Sequence, residues 1–186
     1  MRYVLLFRGL NVGGNSKVKM AELADMLRGL GLGGVVTYIQ SGNAAVDTAL
    51  AADALARQVA EAFAARFGFA AGVVALDAEE LQGIVAGLPF TAAEIAAAEA
   101  LNPETEHLYV SLLPQIPSQE ALAALAAAQD GGDRLHAAGR VVYALFADSV
   151  RTSKTARRIA KHLPDATARN WRTTLALLAL AEGKTP

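Results

Sequence analysis

Val35-Val36-Thr37-Tyr38-Ile39-Gln40-Ser41-Gly42-Asn43-Ala44-Ala45-Val46-Asp47 reads as two strands folded back on each other. The first is rich in β-branched and aromatic residues, and Gly-Asn at the centre of Ser41-Gly42-Asn43 suits a tight hairpin turn. Upstream, residues 3–8 form a short apolar strand ended by Gly9. Residues 20–30 follow as a helix, with Leu23, Met26, Leu27 and Leu30 on one face and Gly31 just past its end. Downstream, residues 51–67 carry Leu55, Val59, Phe63 and Phe67 on a helical stripe closed by Gly68, and residues 72–76 return as a strand. The order is strand, helix, strand, strand, helix, strand. It predicts a ferredoxin-like plait, in which two helices cover one face of a four-stranded antiparallel sheet.

The second half opens with helices. Asp77 with Glu80, and Thr91 with Glu94, have the spacing of capping boxes and start helices near 78–87 and 92–100. The first pattern then returns as a strand at 107–113, a helix at 119–128, a hairpin about Gly139 and a helix at 153–163. A last helix runs over 171–181. The expected class is α+β: a βαββαβ plait followed by a related βαββα unit with extra helices. The boundaries are 1–77 for the first plait, 78–105 for connecting helices and 106–186 for the second plait. The loops do not repeat, because Pro114-Gln115-Ile116-Pro117 stands where the first unit has glycines.

The connection after the first strand is Arg8-Gly9-Leu10-Asn11-Val12-Gly13-Gly14-Asn15-Ser16-Lys17. Glycines, amide side chains and flanking cations at a strand-to-helix junction present backbone N–H groups to an anion. In a plait this loop emerges at the same sheet edge as the 40–43 turn. The two would form one rim, with Arg8, Asn11, Gly13, Gly14, Asn15, Lys17, Ser41, Gly42 and Asn43 as candidate ligand-binding residues. Arg8 can hold a carboxylate or phosphate in a two-pronged contact, where Lys17 acts as a point charge. The competing reading is structural: Gly13-Gly14 as permissive backbone, Asn11 and Asn15 as turn residues, and 41–43 as a plain hairpin. Gly9-x4-Gly14-Asn15-Ser16 has P-loop spacing, but asparagine replaces the phosphate-binding lysine, and no dinucleotide fingerprint is present.

Charge is distributed unevenly. The net charge of the 186 residues is −1, yet Arg151, Lys154, Arg157, Arg158, Lys161, Arg169 and Arg172 face one acid, Asp165, within residues 151–172. That segment is +6 and the remainder is −7. Lys154, Arg157, Arg158 and Lys161 fall at i, i+3, i+4 and i+7, a basic stripe along one helix. Asn170 is a suitable N-cap for the last helix, where Arg169, Asn170 and Arg172 would meet an anion favoured by the helix dipole. The bland alternative is a solvated helix face with Trp171 anchored in the core.

Other chemistry is excluded or unsupported. The chain has no cysteine, hence no disulfide, thiolate metal site or cysteine nucleophile. No run approaches the length of a membrane helix and no signal-peptide pattern appears, so the expectation is a cytoplasmic protein without a membrane partner. His107, His136 and His162 are isolated, with no metal-binding spacing; His107 reads as a strand residue. Nothing specifies a catalytic group or a cofactor.

Three motifs in the same order carry a family resemblance: Arg8-Gly9-Leu10-Asn11-Val12-Gly13-Gly14 with its approach to the helix at 17–20, Thr37-Tyr38-Ile39-Gln40-Ser41-Gly42-Asn43, and Thr167-Ala168-Arg169-Asn170-Trp171-Arg172-Thr173. Together they resemble the bacterial domain-of-unknown-function family 1697, from the first strand to the last helix. Leu10 stands where isoleucine is expected. The resemblance implies a pair of plait-like α/β units and adds weight to the motif positions, Trp171 included. It implies no activity.

The leading functional expectation is a small phosphorylated or carboxylated ligand at the first rim. The second is a nucleic-acid-binding module using Lys154, Arg157, Arg158 and Lys161 with the 169–172 turn. Against it stand a pI near 6.3 and few strand aromatics. The third is a structural or interaction protein with no small ligand.

Overall fold

The computed structural model describes residues 1–11, 17–127 and 132–186. The chain forms two compact units, one of Met1–Gly83 with Leu175–Pro186 and one of Ile84–Thr174.

In the first unit β1 (Arg2–Phe7), α1 (Met20–Gly29), β2 (Gly33–Tyr38), β3 (Asn43–Asp47), α2 (Ala52–Phe67) and β4 (Val73–Leu76) follow in that order. The sheet order is β2-β3-β1-β4, with every pair antiparallel. This is the plait read from the sequence. Alternation along β1 sends Tyr3, Leu5 and Phe7 to the helices, where they join Leu23, Leu27, Leu55, Val59 and Phe63 in one core. Phe63 is the hub of that core, with ring centroids 5.5 Å from Phe7, 4.7 Å from Phe67 and 5.2 Å from Phe69. Gly68 ends α2 at φ 78°, the left-handed geometry that glycine adopts without a Cβ penalty.

The hairpin differs from expectation by two residues. β2 begins at Gly33 and stops at Tyr38, and Ile39-Gln40-Ser41-Gly42 makes the connection. Asn43, expected in the turn, is the first residue of β3, paired with both Leu6 and Tyr38 and fully buried. Its short amide is what lets a polar residue occupy that place: Nδ2 donates to Tyr38 O at 3.2 Å and to Ser41 Oγ at 3.1 Å.

After β4 in the chain come α3 (Ala78–Ala86), divided between the units at Gly83, and α4 (Ala92–Leu101), within the second. Both capping boxes form. Glu80 N donates to Asp77 Oδ1 at 2.9 Å with a return bond to Glu80, and Thr91 and Glu94 cap α4 reciprocally. The second unit continues with β5 (Leu108–Leu112), α5 (Gln119–Ala126), β6 (Arg134–Ala138), β7 (Val141–Leu145), α6 (Lys154–His162) and β8 (Thr167–Asn170). The order β6-β7-β5-β8 repeats that of the first sheet.

The expected strand-helix-strand-strand-helix unit is therefore present, with one more strand than the sequence revealed. Residues 167–170, read as the approach to a helix, pair with β5 from Leu112↔Thr167 to Tyr109↔Asn170. Four residues, two of them Arg and Asn, give no strand-like run, and the pairing decides their conformation. The helix α7 (Trp171–Ala181) starts immediately after, and Asn170 Oδ1 accepts from Thr173 N at 2.8 Å as the expected N-cap. Residues 128–131, which include the expected end of the helix at 119–128, lie outside the described residues.

His107 is a core residue. It is buried, with Nδ1 2.7 Å from Phe146 O and Nε2 2.8 Å from Asn102 O. Among the described residues no helix is long and apolar enough to cross a membrane, and no His/Asp/Glu group has the makings of a metal site.

Candidate functional site

The rim of the first plait is built around one side chain. Asn11 sits at φ 56°, a conformation that asparagine tolerates better than most residues. All of its hydrogen-bonding atoms that the fold engages face the protein: Oδ1 accepts from Val18 N at 2.8 Å, and Nδ2 donates to Val18 O at 3.0 Å and to Gln40 O at 2.7 Å. The first two bonds close the neck of the loop, and the third fastens that neck to the β2–β3 connection. The convergence of two loops expected from the topology is thus made by Asn11, which acts as a frame.

Gly42 is the second part of that frame. Its φ is 79°, and a Cβ there would stand 2.9 Å from Leu10 Cβ and Cδ2 and 3.1 Å from Phe7 Cβ. Its carbonyl accepts from Phe7 N at 2.9 Å. The turn passes so close over Leu10, itself fully buried, that only hydrogen fits. The second plait has the same rim bond, Leu113 N to Arg140 O at 2.9 Å, so the duplication extends to the edge of the sheet.

Arg8 and Lys17 bracket the loop, and both are exposed. Arg8 N donates to Gly72 O at 2.8 Å. A Cβ on Gly72 would lie 3.2 Å from Arg8 Nε, so the arginine stem crosses a position that glycine keeps clear. Gly72 belongs to this rim, and sequence reading missed it; a glycine immediately before a strand is its one signal. Val18 and Gln40 were missed as well, because they contribute backbone atoms that any residue would supply. Gly13, Gly14 and Asn15, with Val12 and Ser16, lie outside the described residues.

The expected C-terminal contributors belong to the second unit. Arg169 is buried in β8, opposite Val110, where desolvation lowers its pKa to about 10; its Nη1 donates to Ala168 O at 2.8 Å. It stands in a strand, not at a helix start. Asn170 is spent as the cap of α7, and exposed Arg172 pairs with Glu106 at 3.1 Å. Of these three, only Arg172 has an exposed side chain.

Lys154, Arg157, Arg158 and Lys161 are all exposed on α6, as the spacing predicts, while Thr155 and Ile159 are buried beneath them. Ser153 Oγ caps the helix by accepting from Ala156 N at 2.9 Å, and it donates to Asp133 Oδ2 at 2.8 Å.

Comparison with known proteins agrees with this architecture. The model of the family described as protein of unknown function, DUF1697, matches residues 1–143. Among solved structures, the conserved bacterial protein SP0830 from Streptococcus pneumoniae is similar, with a TM-score of 0.70 and 23% identity over 97% of this chain and 98% of that one. That likeness is one of fold. No curated protein matches the chain.

Proposed function

The chain belongs to the DUF1697 family, and we propose that its first plait binds a small phosphorylated or carboxylated molecule at the rim formed by the 8–17 loop and the 40–43 turn. One observation supports this most: the Asn11 amide ties the loop's neck to Gln40 O, which leaves two exposed cations, Arg8 and Lys17, at the loop's ends. Neck residues already held in place need not be ordered by the ligand.

The roles divide accordingly. Arg8 supplies a planar, two-pronged contact and Lys17 a point charge. Ser41, whose Oγ accepts from Asn43, orients the ligand. Gly13, Gly14 and Asn15 supply N–H donors in this reading. Asn11, Gly42, Gly72 and Asn43 hold the frame. A cysteine-free chain suits a reducing cytoplasmic setting.

The test is a thermal-shift screen of inorganic phosphate, sugar phosphates, nucleotides and carboxylates against the parent and Arg8→Ala. A rise in Tm with one ligand class, absent in Arg8→Ala, is expected. No rise with any compound would leave the structural reading in its place.

A further inference from the structure

We infer that the exposed face of α6 is a docking rib for the phosphate backbone of duplex DNA. The face carries Lys154, Arg157, Arg158 and Lys161, all exposed, and α6 contains no acidic residue. Exposed Arg151 precedes it. At 1.5 Å per residue the four cations span about 10 Å. One DNA strand offers a phosphate every 3.4 Å or so along the axis, so the rib covers about three phosphates. Arg157 Nη1 donates to Thr152 O at 3.1 Å, which ties that side chain back toward the start of α6. The helix packed beside it, α5, contributes a single acid, Glu120.

Three observations choose this partner among polyanions. The apolar side of α6 is already used, with Ile159 and Leu163 buried in the second unit's core, so it has no free apolar face to insert into lipid. Single-stranded nucleic acid needs aromatic platforms on which bases stack. Among the described residues the large exposed apolar side chains are all aliphatic, and Tyr143 is buried with its hydroxyl donating to Ile84 O at 2.8 Å. The remaining requirement is a regular line of negative charge. Residues 151–161 carry five cations and no acid, which orients the basic face toward a polyanion despite a net charge of −1. Arg169, buried in β8, and Arg172, on α7, lie outside the rib.

The experiment is fluorescence anisotropy of a labelled 20-base-pair DNA duplex titrated with the full chain. Saturable binding in 50 mM NaCl is expected, and three phosphate contacts predict an affinity loss of about 40-fold on going to 200 mM. Arg157→Gln with Lys161→Gln should weaken binding at least about tenfold, at roughly 1.4 kcal/mol per decade, with the fold retained in circular dichroism. Arg157→Lys should retain binding, and Arg8→Ala should bind like the parent, which separates this site from the rim. No binding at 50 mM, salt-independent binding, equal binding by the double glutamine variant, or capture by phosphatidylserine vesicles without duplex binding would each overturn the inference.

Discussion

Asn11 Nδ2 lies 2.7 Å from Gln40 O, a bond that joins two loops 29 positions apart at one edge of the first sheet. With the paired contacts to Val18 it makes Asn11 the fastener of the rim. Asn11→Ala removes three hydrogen bonds and places alanine at φ 56°, and should cost about 3 kcal/mol. Asn11→Gly relieves the backbone strain alone and should recover about 1 kcal/mol of that. Urea denaturation measures both, and equal losses would show that the left-handed backbone is no burden there.

Gly42 and Gly139 occupy hairpin connections in the two plaits, and both have positive φ. They differ in surroundings. A Cβ at Gly42 meets Leu10 at 2.9 Å, while one at Gly139 meets nothing within 4 Å. Gly139→Ala should therefore cost only the backbone term, about 1 kcal/mol. Gly42→Ala should cost about 3 kcal/mol because packed side chains must also move. Thermal melts of the two variants give the comparison, and matching values would refute the close approach of Gly42 to Leu10.

These two residues also show how far the sequence was legible. The element order through the sixth helix, the helix-ending Gly31 and Gly68 and both capping boxes follow from periodicity and cap chemistry, which are local. The meeting of the 8–17 loop with the 40–43 turn follows from topology. What was hidden is tertiary. Asn43 reads as a turn residue until Tyr38 O and Ser41 Oγ are seen to satisfy its buried amide. β8 is a strand because β5 offers it an edge, and Gly72 matters because Arg8 crosses it.

Glu94 gives a pH signature. The Arg134 hydrogen bond, followed by Thr91, lowers its pKa from 4.5 to about 2. A lowered carboxylate pKa contributes stability above the unfolded value that is lost as pH falls toward the folded one. The parent should therefore be more stable than Glu94→Gln above pH 4.5, and the difference should shrink as the pH falls below that value and vanish only below about pH 2. Chemical denaturation at several pH values follows it; a difference that grows on acidification would reverse the assignment.

Thr155 and Thr167 have buried hydroxyls without a hydrogen-bond partner. Thr155 is fully buried in α6. Thr155→Val keeps the shape and removes an unsatisfied polar group, so it should stabilise the protein by about 1 kcal/mol. Calorimetry decides, and a loss of stability would mean that the hydroxyl is bonded in solution.

In the proposed function the first rim binds an anion. Amide chemical-shift mapping during titration with inorganic phosphate tests it most directly. Shifts concentrated in residues 8–18, 40–43 and 72, saturable and absent in Arg8→Ala, are predicted. Shifts scattered over the basic surface of α6, or none at the rim at saturating phosphate, would contradict it.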